Sequence, residues 1–187
     1  QIDKTNTKFV RYLQNDVNWD ARLNAILGTR GVGKTTMIFQ HIKMTGQRNV
    51  SLVVFADDIY FSNNTLLDLA DNFYKGGGKY LYIDEVHKYQ NWSTEIKNIY
   101  DQIPDLNIVY TGSSILDLER GTADLSRRQL KNYMYGMSFR EWLQMDKAGH
   151  ATTAYHVGML GYEALRLAGW DEKHSLLYGG PLGFVFL

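Results

Sequence analysis

The 187-residue sequence predicts an α/β fold in which a mainly parallel sheet lies between two layers of helices, and three observations carry that reading. Short apolar runs rich in branched and aromatic residues recur along the chain, segments of helical period separate them, and a glycine-rich loop joins the first run to the first long helix. Strands alternating with helices require crossover connections, and right-handed crossovers cover a parallel sheet on both faces. Such strands are apolar throughout rather than alternating, and ligands bind beyond their C-terminal ends.

The first strand is expected at Ala25 to Leu27, followed by a helix in which Ile38 and Ile42 pack inward. Further strands are expected at Leu52 to Phe55, Tyr80 to Ile83 and Ile108 to Tyr110, each run too short for a helix. Leu66, Leu69, Ala70 and Phe73 form one helical stripe, with Asn63 or Asn64 as its cap and Gly76, Gly77 and Gly78 as its stop. Trp92, Ile96, Ile99 and Ile103 form another, with Pro104 following. A fifth strand is expected through Tyr133 to Met137, then a short helix from Ser138 with Phe139, Trp142 and Leu143 facing inward. Beyond about Lys147 a helix-like stretch, Thr152 to Ala168, leads into a tail broken by Gly179, Gly180, Pro181 and Gly183. The expected organisation is a principal domain over residues 1–146 and, over 147–187, a helical extension or the start of a truncated further domain.

Twenty basic and twenty acidic residues cancel, so no long-range positive field draws the whole domain onto nucleic acid, although a local basic patch stays open. The absence of cysteine removes disulfides, thiolate catalysis and thiolate-bound metals, fits a reducing compartment and makes the cytoplasm the expected location. No run approaches the roughly 18 apolar residues of a membrane-spanning helix. Starting on Gln1 and stopping on the apolar run Gly183 to Leu187, the chain reads as a piece of a longer one. The five histidines, His41, His87, His150, His156 and His174, lack metal-site spacing and are expected to be structural.

Chemistry enters with Gly28-Thr29-Arg30-Gly31-Val32-Gly33-Lys34-Thr35, a glycine, four residues, then glycine, lysine and threonine, between a strand and a helix. Glycines let such a loop curl until successive N–H groups face phosphate oxygens, and the positive end of the helix adds to the attraction. Lys34 is expected on the β- and γ-phosphates, the Thr35 hydroxyl on a bridging Mg²⁺, and Thr36 on a more distal phosphate. Arg30 within the loop faces nucleotide, a neighbouring subunit or solvent.

The second half of the site is expected at Asp84 and Glu85, which close the apolar strand that starts at Tyr80. Asp84 is read as holding Mg²⁺ through water, and Glu85 as orienting and polarising the attacking water. A residue that activates water favours hydrolysis over binding alone. Asp84-Glu85-Val86-His87 also resembles the DExH box of superfamily 2 helicases, but those need two lobes of about this size and the sequence holds one phosphate loop.

Thr111, Gly112, Ser113 and Ser114 follow the fourth strand, where Thr111 or Ser113 can contact the γ-phosphate or the water, or simply cap a turn. Arg120, Arg127 and Arg128 come next, and Arg128 is the preferred candidate for offsetting charge on the transferred phosphoryl group, in cis or from a neighbour.

With these elements in place the chain resembles the AAA-type ATPases of the archaeal-ATPase-like group over roughly residues 9 to 145. Gly33-Lys34-Thr35-Thr36, Tyr82 to His87 and Thr111 to Ser114 are similar to that group's nucleotide loop, acidic strand and sensor region. Leu125-Ser126-Arg127-Arg128 is similar to its leucine, small residue, glycine, arginine element, with Arg127 in the glycine's place. Met137 to Leu143 is similar to its "LSFREFL"-like helix start, and Gly136 stands where proline is common. The resemblance implies a P-loop (AAA+-like) sheet of order 5-1-4-3-2, ATP as the nucleotide, a sensor at Thr111 to Ser113, and an adenine-proximal segment around Phe9 to Leu13. The reading is an ATPase whose Mg-dependent cycle drives a conformational or assembly change, with a homo-oligomer or an unidentified protein or nucleic-acid partner. Its alternative is an ATP-dependent switch that seldom turns over; a P-loop kinase would need an acceptor lid, and no segment offers one.

Overall fold

The computed structural model describes residues 2–112, 125–145 and 147–179. Tertiary contacts divide the chain into two compact units, one ending at Gly136 and the other beginning at Met137.

The first unit is built on five parallel strands, β1 (Leu23–Leu27), β2 (Ser51–Phe55), β3 (Tyr80–Asp84), β4 (Asn107–Gly112) and β5 (Leu130–Tyr133). Their order across the sheet is β2-β3-β4-β1-β5, the expected 5-1-4-3-2 read from the other edge. The helices of this unit are the single turn α1 (Leu13–Asp16), then α2 (Lys34–Thr45), α3 (Leu66–Lys75) and α4 (Trp92–Gln102).

Successive side chains of a strand face opposite sides, so the central strands feed two cores. Leu23, Ala25, Leu27, Leu81, Ile83, Ile108 and Tyr110 meet α3 and α4 through Leu66, Ala70, Trp92, Ile96 and Ile99. Ile26, Tyr82 and Val109 meet Met37, Ile38 and Ile42 of α2 on the other face. Burial on both faces is the reason these runs read as apolar without alternation.

Three local expectations need correction. The fifth strand is Leu130–Tyr133 rather than Tyr133 to Met137. It lies at a sheet edge with mostly exposed side chains, so hydrophobic patterning does not mark it. The cap of α3 is Thr65 rather than Asn63 or Asn64; its extended backbone lets Oγ1 accept the N–H of Asp68, and Glu95 of α4 takes the N–H groups of Leu66 and Leu67 at 2.8 and 3.1 Å. Phe139 and Trp142 are exposed, and their rings stack on one another; the side chain of Leu143 lies outside the described ones.

The second unit contains α5 (Phe139–Met145), α6 (Lys147–Leu167) and α7 (Glu172–Gly179). Ser138 and Glu141 start α5 as a reciprocal capping pair, Ser138 N–H to Glu141 Oε2 and Glu141 N–H to Ser138 Oγ. Gly169, at φ +85°, turns the chain between α6 and α7, and Asp171 Oδ1 caps the latter through His174 N–H. The tail elements Gly180, Pro181 and Gly183 lie outside the described residues. Among the described residues no helix is long and apolar enough to cross a membrane.

Candidate nucleotide-binding site

Gly28 to Gly33 leave β1 at its C-terminal end and deliver Lys34 as the first residue of α2. Two glycines carry conformations that side chains resist, Gly31 at φ +83° and Gly33 at φ +100°. Gly28 is required for a different reason: a Cβ there would stand 2.2 Å from the carbonyl oxygen of Met134, whose N–H is bound to Leu27 O at 2.7 Å. Gly31, Gly33, Lys34, Thr35 and Thr36 line a cavity of about 240 Å³, and Asp84 and Glu85 complete it from the end of β3.

Lys34 is buried, and its ammonium donates to Gly28 O and Thr29 O, 2.9 Å each. Desolvation pulls its pKa below the ordinary lysine value, opposed by the charges of Asp84 and Glu85. Asp84, also buried, accepts Thr35 Oγ1 on Oδ2 at 2.7 Å and Thr111 Oγ1 on Oδ1. Thr111 in turn accepts the backbone N–H of Glu85 at 2.9 Å. It is fully buried, so it reaches the cavity through its two acidic neighbours rather than directly.

Glu85 adopts the left-handed conformation, φ 52°, which turns the chain sharply after β3. Its carboxylate pairs with the ammonium of Lys88, which also binds Asp57 at 2.6 Å. Hydrogen bonding to Lys88, with smaller contributions from the charges of Lys88, His87 and Arg30, holds the Glu85 carboxyl below the usual range against the opposing effect of burial. Thr29 and Arg30 are exposed on the loop, Val32 is half-buried, and Arg30 is near enough for its charge to act on Glu85.

The structure therefore brings Gly28 to Thr36, Asp84, Glu85 and Thr111 together. Ser113, Ser114 and Arg120 lie outside the described residues. Arg128 is not gathered with them: it pairs side-on with Asp101 near the end of α4, at 3.1 and 3.3 Å, just before β5 and thus at the opposite edge of the sheet.

Two participants escape a reading of the sequence. Lys88 is three residues beyond Glu85, a spacing that hints at pairing, but its bond to Asp57 depends on β2 lying beside β3. Arg11 is buried and donates to Val32 O of the loop at 2.7 Å, a contact that nothing in the local sequence announces.

Among the described residues no three His, Cys, Asp or Glu side chains gather to hold a metal by themselves. The oxygens of Thr35 and Asp84, in contact at the cavity wall, nevertheless suit a hard cation that takes its remaining ligands from water and phosphate.

A parallel sheet of this order with a glycine-rich phosphate loop at its C-terminal edge defines a P-loop nucleotide-binding domain. Residues 20–143 match the model of the family described as AAA domain, and the chain belongs to that family, whose members generally bind ATP. It is also similar to the uncharacterized protein MJ1637 of Methanocaldococcus jannaschii, 32% identical over 150 residues, which cover 75% of this chain and 31% of the relative. The matched part is thus about a third of that relative's length. Superposed on the structure of C. elegans PCH-2, the chain gives a TM-score of 0.49 at 15% identity, covering 87% of this chain and 52% of that one.

Proposed function

We propose that this domain binds ATP with Mg²⁺ and hydrolyses it, and that the cycle drives a conformational or assembly change. The observation that carries the reading is the convergence of Lys34, Thr35, Asp84 and Glu85 on one cavity at the end of the phosphate loop.

On this reading phosphate oxygens take over the ammonium of Lys34 from the carbonyls of Gly28 and Thr29, and the N–H groups of the loop surround the β- and γ-phosphates. Thr36 serves a more distal phosphate. Thr35 would hold Mg²⁺ through its hydroxyl oxygen and Asp84 would hold it through a water, the threonine hydroxyl keeping its proton toward Asp84. When bound, the ion offsets charge on the phosphate oxygens. Glu85 accepts a hydrogen bond from a water and aims its oxygen at the γ-phosphorus. The new P–O bond forms as the bond to the bridging oxygen breaks and a proton of the water passes through Glu85 to the released phosphate, leaving ADP and inorganic phosphate. Thr111 steadies both acids, and Ser113 supplies a second hydroxyl to the sensor region.

A catalytic role for Arg128 belongs in trans on this reading, at the nucleotide of a neighbouring copy in a homo-oligomer. The ATPase domain is proposed to span residues 1–146, in keeping with a family match that runs past the contact division to residue 143, and 147–187 to form a helical extension. The cysteine-free composition supports a cytoplasmic setting.

One observation favours the slower reading, a switch that binds ATP and presents a surface to a protein or nucleic-acid partner: Lys88 holds the carboxylate that water activation requires. Mg²⁺-dependent phosphate release from ATP and GTP, measured with nucleotide binding for the wild type, Lys34→Ala and Glu85→Gln, separates the two. Hydrolysis by the wild type, lost binding in Lys34→Ala, and binding without turnover in Glu85→Gln support the ATPase. Binding without phosphate release by the wild type, even at high protein concentration, overturns it in favour of the switch.

A further inference from the structure

Arg11 is a buried cation whose guanidinium donates to the backbone carbonyls of Val32 at 2.7 Å, Tyr135 at 2.8 Å and Gly136 at 3.2 Å. Val32 is inside the phosphate loop, and Tyr135 and Gly136 are the last residues of the first compact unit. The segment that delivers Arg11 is itself fastened to the helix that follows the loop. Gln40 of α2 donates to the carbonyls of Asn6 and Phe9 at 2.7 and 2.8 Å, and Lys43 donates to those of Asp3 and Thr5.

In a planar trans peptide the carbonyl and the following N–H point in opposite directions. With the Val32 carbonyl drawn toward Arg11, the N–H of Gly33 points the other way, and Gly33 lines the cavity. We propose that Arg11 is a positioning residue that presets the Val32–Gly33 peptide for phosphate and ties the loop to the chain at Tyr135–Gly136, so that phosphate binding is felt at the exit from the first unit. A guanidinium suits this task because its planar fork reaches several carbonyls at once; the single ammonium of a lysine cannot span them in the same geometry.

The inference rests on the phosphate-binding reading of the loop and deepens it. The test uses this chain with ATP and with inorganic tripolyphosphate, a ligand without a base. Arg11→Lys is the working variant; Arg11→Ala leaves part-buried hydrogen bonds without their donor and serves as a second variant wherever circular dichroism and thermal melting show it folded. Arg11→Lys is expected to bind both ligands at least about tenfold more weakly, as the loss of a hydrogen bond to a charged group predicts. Equal losses for the two ligands identify a phosphate effect rather than a contact to the base. Hydrogen exchange gives a readout independent of the affinities: tripolyphosphate is expected to slow exchange in the wild-type segment around residues 135–137, and to do so less in Arg11→Lys.

Wild-type binding with an unchanged affinity in folded Arg11→Lys overturns this inference and leaves the nucleotide-binding reading intact. Wild-type binding without slower exchange around residues 135–137 overturns the link to the unit exit. No binding of either ligand by the wild type overturns the nucleotide-binding reading, and this inference with it.

Discussion

The backbone N–H of Glu85 is held by the side-chain oxygen of Thr111 at 2.9 Å, joining the end of β3 to β4. Because the same hydroxyl gives its proton to Asp84, one buried threonine fixes both acids on the cavity. Thr111→Val removes the hydroxyl at little cost in volume and leaves a buried N–H and a carboxylate oxygen each short of a partner. Urea unfolding is expected to show a loss of about 1–3 kcal/mol. Nucleotide binding measured on the folded fraction is expected to weaken in parallel, because Asp84 loses one of its two anchors.

Removing Lys88 releases the Glu85 carboxylate. Lys88→Ala is expected to raise the Glu85 pKa toward its ordinary value, because the hydrogen bond from Lys88 is the largest cause of its depression. On the hydrolysis reading Glu85 acts as a carboxylate, so turnover falls as it protonates. The acid limb of the rate–pH profile therefore moves to higher pH in the variant, while the rate on the plateau rises as Glu85 no longer exchanges Lys88 for water. A profile unchanged in position and height excludes the restraint.

Gly28→Ala tests the closeness of the loop to the strand beside it. The new methyl would stand 2.2 Å from the carbonyl of Met134, and Met134 cannot withdraw without losing its hydrogen bond to Leu27. Thermal melts are expected to register an overpacking cost of about 1–3 kcal/mol, with loss of nucleotide binding because the loop moves. A variant of wild-type stability and affinity shows that the loop and strand separate freely.

His41 predicts acid sensitivity in the first unit. It stacks on Trp19 with ring centroids 3.8 Å apart and lies 3.2 Å from Gln14 Nε2 through Nδ1. Burial, only partly opposed by Asp20, lowers its pKa to about 4. The folded protein thus resists protonating this ring, and the unfolded chain does not. Its contribution is present above pH 6.5 and is lost progressively as the pH falls toward 4. Urea unfolding at pH 7 and pH 4.5 is expected to differ, with His41 accounting for on the order of 2 kcal/mol after allowance for solvent screening. His41→Gln should reduce that difference; the same difference in both proteins assigns it to other groups.

The sequence by itself determined the parts whose signal is local. Four strands are legible because burial on both faces demands apolar runs, and the phosphate loop because its glycines and Lys34 work at fixed separations along one turn. Asp84 and Glu85 are legible because a parallel strand places its last residues at the ligand edge. Tertiary structure decided what depends on neighbours distant in the chain. Edge strand β5 bears mostly exposed side chains, so its register comes from pairing with β1 rather than from hydrophobic pattern. Thr111 meets Asp84 and Glu85 across adjacent strand ends, Lys88 meets Asp57 across the β2–β3 pair, Arg128 pairs with Asp101 away from the loop, and Arg11 crosses to Val32 and Tyr135. Hydrogen bonds and ion pairs act over a few ångströms, and only the fold brings residues 21 to 124 positions apart within that reach.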